Sequence, residues 1–202
     1  MKINNFLSLL FIPVILFSCG SSTDQAYLPK PRGFHRIEMP NHAYSDQVFK
    51  NKELKGYPYQ FELASNAILV PDSSFMSEPY WVEVKYPQFD ATVDISYKKL
   101  ANFDSLVGYT NTSNVLTFKH NVRATAIDEY STQTNNGYAA VMYEIEGDVP
   151  SQFQFFVTDS TKHFFRAALY FPTSTQNDSL APLIDYVKED MIHMMNTLKL
   201  KN

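Results

Sequence analysis

Apolar and polar residues alternate along much of this chain. In YWVEVKYP (residues 80–87), Tyr80, Val82, Val84 and Tyr86 fall on one side and Trp81, Glu83 and Lys85 on the other. ATVDISYKKL repeats the arrangement, with Ala91, Val93, Ile95 and Tyr97 set against Thr92, Asp94 and Ser96. A period of two carried by β-branched and aromatic residues predicts strands. YAAVMYEIEG adds another, with Ala139, Val141, Tyr143 and Ile145 on one face. SQFQFFVTDSTKHFFRAALYFP predicts a hairpin. Its arms group Phe153, Phe155 and Val157, then Phe165, Ala167, Leu169 and Phe171, and Asp159 in the TDSTK turn is placed to bond the backbone two residues on. YPYQFEL (57–63) and NAILVPD (66–72) are shorter runs bounded by proline and acid.

Two stretches break the alternation. From Asn102 to Glu129 the apolar residues are scattered and breakers are few after Gly108, which predicts one or two helices. Near the C-terminus, Leu180, Leu183, Ile184, Val187, Met191, Met194, Met195 and Leu198 form one stripe at helical spacing. Asp178 or Ser179 is the expected cap of that helix, with Pro182 in its first turn. The order is strands, helix, strands, helix. No strand–helix–strand unit repeats, so a wholly parallel sheet is excluded. The expected fold class is α+β: a single domain with a mostly antiparallel sheet flanked by helices. This order resembles the PsbP/Mog1-like sandwich, a likeness of architecture that implies no function.

The N-terminus has a different logic. Lys2 precedes an apolar run from Phe6 to Phe17, too short for a membrane span of about 20 residues but suited to a secretory signal. It ends in Leu16-Phe17-Ser18-Cys19, which resembles a bacterial lipobox. Cys19 is the sole cysteine, so the expected lipid-anchor residue uses the only thiol. Disulfides, cysteine nucleophiles and thiolate metal sites are thereby excluded from the mature chain. The expected organisation is a signal over 1–18, a small polar tether over 19–26, a strap over 27–56 and the α+β domain over 57–202. YLPKPRGFHRIEMP carries Pro29, Pro31 and Pro40 together with Lys30, Arg32, His35 and Arg36. It is either a strap laid over the domain or a recognition segment for a partner or lipid head groups.

Composition narrows the function. Hydrophobic residues make up 45% and charged residues 19% of 202, enough for a folded core. A net charge of −4 gives no reason to expect nucleic acid. With 6 glycines there is no GxGxxG and no phosphate-binding loop. GxSxG and HExxH are absent too, and His35 and His42, seven apart, are a weak metal signal. The most suggestive cluster is TDSTKHFFRAALYF, where Asp159, His163 and Arg166 would meet at one end of the hairpin. The alternative there is a polar turn followed by a strand with Arg166 on its outer face. Asp104-Ser105-Leu106, Asp159-Ser160-Thr161 and Asp178-Ser179-Leu180 resemble a bacterial O-glycosylation sequon, although turn and cap chemistry explains Asp-Ser equally well.

Several stretches together resemble the GldD family of gliding-motility lipoproteins of Bacteroidota: PKPRGFHRIEMP, YPYQFEL, YWVEVKYPQFDATVDISYK, QFFVTDSTKHFFRAALYF and NDSLAPLIDYVKEDM. They run in order from about Pro29 to the C-terminus. The resemblance implies a non-enzymatic component of the cell envelope tied to gliding and to type IX protein secretion, with no catalytic residues and no cofactor. Its expected partners are other motility and secretion envelope proteins, and the membrane through its anchor, with the domain facing the periplasm. Expected contact residues are Arg32, Gly33 and Arg36 in the strap, and His163 and Arg166 at the hairpin edge. The competing expectations are an envelope hydrolase acting on peptidoglycan or glycan, and a ligand-binding lipoprotein.

Overall fold

The computed structural model describes residues 38–50, 53–172 and 177–201. Cys19, Arg32, Gly33 and Arg36, with the signal and the tether, lie outside the described residues. The described chain opens with three short strands, β1 (Tyr44–Ser45), β2 (Tyr59–Gln60) and β3 (Leu63–Ala64). A meander follows: β4 (Ile68–Pro71), β5 (Val82–Tyr86) and β6 (Ala91–Lys99). Helix α1 (Phe103–Phe118) and a short 3-10 turn (Lys119–Val122) lead to a second meander. Its strands are β7 (Ala124–Gln133), β8 (Ala139–Gly147), β9 (Phe153–Thr158) and β10 (His163–Tyr170). Helix α2 (Asn177–Thr197) and β11 (Lys199–Leu200) close the chain.

Seven strands form one antiparallel sheet in the order β4-β5-β6-β10-β9-β8-β7. The second meander thus closes against the first by pairing β10 with β6, the product of a hairpin whose aromatic arms reach the sheet centre. β1–β3 and β11–β2 are two-stranded ribbons. This is the α+β, mostly antiparallel architecture expected from the alternation.

Alternation decides the two faces. Val84, Val93, Ile95, Phe155, Phe165 and Leu169 turn to one side, where they bury the α2 stripe of Leu183, Val187, Met191, Met194 and Met195 together with Leu198 just after the helix. Phe156, Phe164, Tyr143 and Ile145 turn to the other, and make a smaller core with Leu106 and Tyr109 of α1. Met39, Tyr44, Val48 and Phe49 pack into the larger core. A polar clamp fixes this stretch to α2. Buried Asp190 accepts from the Tyr44 hydroxyl at 3.0 Å and lies 2.6 Å from His42 Nδ1. His42 stacks on Tyr186, and Tyr44 on His193 at 3.6 Å.

Three local expectations need correction. Residues 124–129, read as helix, begin β7, because pairing with β8, interrupted by a bulge at Thr125, supplies backbone partners that scattered apolar positions do not reveal. Helix α2 already begins at Asn177, so Pro182 is its sixth residue and lies beyond the first turn, while the cap expected of Asp178 or Ser179 lies outside the described side chains. Tyr80 and Trp81 precede β5, since Tyr80 turns the chain in the left-handed region at φ 70°.

Candidate functional site

Helix α1 lies on the sheet with an unusual inside. Its two fully buried residues are Ser113 and Thr117, and its N-terminus is capped by Asn102, whose side chain accepts from Ser105 N–H at 2.9 Å. Small side chains under a helix leave space, and here a cavity of about 450 Å³ opens between α1 and strands β5, β6 and β10. Asp72, Trp81, Glu83, Asp94, Tyr109 and Arg166 line it.

Charge is concentrated on the cavity floor. Glu83 and Asp94 stand directly opposite across β5 and β6, an arrangement that is repulsive between like charges. Solvent reaches Asp94, yet the cavity walls hold bulk water back. That desolvation, then Glu83 and Asp72, pushes its carboxyl up to about 6, against the pull of Arg166 and Lys85. Glu83 is paired with Lys85 at 2.8 Å. Arg166 donates from Nη2 to the Gln154 amide oxygen, which also accepts from the Thr117 hydroxyl at 3.1 Å. Its Nε is buried without a hydrogen-bond partner. Burial lowers the guanidinium pKa, and Tyr170 and Asp94 oppose that. Lys98 lies over the Trp81 and Tyr109 rings at 5.2 and 5.7 Å and pairs with Glu78. A preformed cavity with aromatic walls and a shifted carboxyl is the arrangement of a ligand pocket.

The residues expected to meet at the hairpin do not all meet. Asp159 builds the turn, accepting from the backbone N–H of Thr161, Lys162 and His163 at 2.8–3.0 Å. Burial raises its pKa, but those three donors bring it below the usual range. His163 is 5% exposed and shares a 2.7 Å hydrogen bond with the Tyr97 hydroxyl, while burial lowers its pKa. Arg166 is three residues further on, and an odd step along a strand sends a side chain to the opposite face. It therefore belongs to the cavity and not to the turn. Asp159-Ser160-Thr161 is accounted for as turn chemistry. His42, one of the two histidines weighed as a metal signal, is held by Asp190 and Glu189. Among the described residues no cluster of His, Cys, Asp or Glu is placed to hold a metal.

The opposite side of α1 carries a second feature. Phe103, Val107, Val115, Phe118 and the following Val122 are all exposed. With Asn111 they form one line at steps of four, four, four, three and four residues. Asp104 is the only charged residue within α1. The sequence showed Glu83 and Asp94 on the polar side of their strands, while the α1 apolar residues read as scattered because Leu106, Tyr109 and Leu116 fall off this line. What it lacked was the fact that α1 turns this stripe away from the sheet.

Fold and surfaces define a class: an antiparallel α+β domain whose covering helix hides small polar residues and displays apolar ones. The chain belongs to the gliding motility lipoprotein GldD family, which matches residues 24–200. It is a membrane-anchored gliding-motility component of the cell envelope. No helix among the described residues is long and apolar enough to cross a membrane. No curated protein matches the chain. Among solved structures it is similar to the solution structure of cyanobacterial PsbP (CyanoP) from Synechocystis sp. PCC 6803, with 12% identity and a TM-score of 0.41 over 84% of this chain and 99% of that one.

Proposed function

We propose that this lipoprotein, anchored through acyl chains on Cys19 and facing the periplasm, is a non-enzymatic scaffold or assembly factor that couples gliding motility to type IX secretion. The observation that carries the scaffold reading is the outward apolar stripe of α1. A helix that buries Ser113 and Thr117 and exposes Phe103, Val107, Val115 and Phe118 is arranged for a second macromolecule. Its flanks are serine, threonine, asparagine and glycine, with little charge. Interface cores between proteins are depleted of charge, whereas helices lying on membranes are rich in lysine and arginine. The occupant is accordingly another envelope protein of the motility and secretion machinery. In the strap, Arg32, Gly33 and Arg36 add contacts near the membrane; His163 holds the hairpin edge in shape, while Arg166 serves the cavity beneath α1.

The test is a clean deletion in the native host, complemented with wild type, Cys19→Ser, Val115→Glu/Phe118→Glu or Arg32→Ala/Arg36→Ala, scoring surface spreading and the secreted proteome. Loss of both on deletion, restored only by the wild type, is the expected result. Normal spreading and secretion in the Val115→Glu/Phe118→Glu strain would remove α1 as the contact surface.

A second reading rests on the cavity. A carboxyl titrating near 6 opposite a second carboxylate, between Trp81 and Tyr109, suits a glycan fragment, either bound or hydrolysed. Turnover or binding of peptidoglycan fragments by the purified protein, abolished by Asp94→Asn, would establish it. Neither effect with wild-type protein would retire it.

A further inference from the structure

Several strand ends gather at one end of the large sheet. β4 ends and β5 begins there, because Pro71 pairs with Val82. β6 ends and β10 begins there, because Lys99 pairs with His163, and β9 arrives beside them with Thr158 opposite Phe164. The loop from β4 to β5 projects from this end. It is a built turn: Ser74 N–H donates to the Asp72 carboxylate at 2.7 Å, Ser77 N–H to the Ser74 carbonyl at 3.0 Å, and the Ser77 hydroxyl to the Asp72 carbonyl at 2.8 Å. At its tip Phe75 and Met76 are fully exposed, 105% and 80%. Nothing among the described residues covers them.

Behind the tip lies a shallow basin of about 510 Å³. Tyr57, Tyr80 and Tyr97 form its walls, and Lys99, Lys162 and Lys201 surround it. Tyr57 and Tyr97 meet the Tyr80 ring edge-on at 5.4 and 5.9 Å. Tyr80 holds this place in a left-handed conformation, φ 70°, secured by the Tyr59 hydroxyl donating to its carbonyl at 2.6 Å. Strain of this kind persists where the surroundings enforce it. No carboxylate lines the basin, although the whole chain carries a net charge of −4. Of the nearby acids, Asp159 serves the hairpin turn, Glu78 pairs with Lys98, and Glu53 lies near enough to Tyr57 to help raise its pKa.

We propose that this end of the domain seats on an anionic lipid bilayer. Phe75 and Met76 enter the interface, the tyrosine rings lie at headgroup level, and the three lysines face lipid phosphates. A projecting apolar tip ringed by tyrosine and lysine has the composition of a bilayer interface. It differs from the α1 stripe, which is long, nearly uncharged and suited to a protein. The inference rests on the membrane-anchored lipoprotein reading. The stretch from Cys19 to Ile37 spans at most roughly 65 Å when fully extended. Acylation brings the domain to a membrane, and a surface of this kind chooses which side of the domain meets it.

The protein contains its own probe. Trp81 is the only tryptophan, follows Tyr80 directly, and donates from its indole N–H to the Tyr97 carbonyl at 3.1 Å. The acylated protein is reconstituted into vesicles of phosphatidylglycerol and phosphatidylcholine, with brominated or ordinary acyl chains, after mass spectrometry has verified acylation at Cys19. Trp81 emission should fall about twofold in the brominated vesicles, and high salt should relieve much of that loss. Phe75→Ser/Met76→Ser and Lys99→Glu/Lys201→Glu should each abolish most of the quenching, while Val115→Ser/Phe118→Ser leaves it intact. Equal emission with and without bromine overturns the proposal, as does quenching that survives both the tip and the lysine changes. Equally strong quenching in pure phosphatidylcholine overturns its anionic part. The salt response of the wild type reads the charge contribution even if a lysine variant fails to fold. Spreading and secretion assays are separate, so the motility reading stands or falls independently.

Discussion

At the scale of single residues, Asp94 offers the sharpest test. Its carboxyl is raised to about 6 by the cavity walls and by the carboxylates of Glu83 and Asp72. Between about pH 4 and pH 6 the folded protein therefore binds a proton that the unfolded chain has released, and folding stability falls as pH rises through that window. Asp94→Asn removes this penalty. The variant should match the wild type near pH 4 and exceed it near pH 7, by less than about 1 kcal/mol because solvent reaches the carboxylate. Thermal melts at the two pH values would read this as a gain of up to about 3 °C, present only at the higher pH. A gain at both would mean that titration is not the cause. Arg166 was visible in the sequence as a polar residue in an aromatic strand. Its burial was not, because it depends on Gln154 from the neighbouring strand and Thr117 from a helix 49 positions away in sequence.

At the scale of elements, strands were legible wherever two faces demanded different chemistry. β5 and β6 follow the alternation closely because one face meets the large core under α2, whereas β9 and β10 are buried almost throughout, since the smaller core covers their other face. β7 was not legible: most of its residues are exposed, so neither face imposes a pattern. Pairing with β8 defines it, and that pairing depends on Gly147. The register slips between Ala124 and Ala126, and Gly147 lies opposite at φ 104°. A Cβ there would stand 2.7 Å from the Arg123 carbonyl oxygen and 2.8 Å from Thr125 N. Gly147→Ala should cost about 2 kcal/mol or more, combining backbone strain with a clash against rigid main chain. Gly137→Ala, also at positive φ but facing open space, should cost about 1 kcal/mol. Urea denaturation of both variants checks the order, and equal midpoints would refute the clash.

At the scale of the whole molecule, one sheet supports two unequal layers. On one face α2 buries Val187 and Met191 completely, at 0% exposure. On the other, α1 meets the sheet through Leu106, Tyr109 and small polar residues, and leaves its apolar stripe outside. Local opening follows buried apolar contact. Amides in the middle of α1 should exchange with deuterium at least about tenfold faster than those in the middle of α2. Comparable protection in the isolated protein would show that the polar contacts of Thr117, Gln154 and Arg166 hold α1 as firmly as the core holds α2. A loosely held helix with a displayed stripe is suited to engaging a partner, and the sheet beneath it keeps the membrane-facing end rigid.

The fold class, the C-terminal helix and the family were legible along the chain, because each rests on local periodicity or on motifs that keep their order. Tertiary structure alone decided which way α1 faces, that Glu83 opposes Asp94, and that His163 and Arg166 part company. It also gathered Phe75, Tyr80, Lys99, Lys162 and Lys201 at one end of the sheet. The physical reason is common to all of these. Strand order and register bring together residues distant along the chain, and periodicity records which face a residue occupies but not which neighbour it meets there.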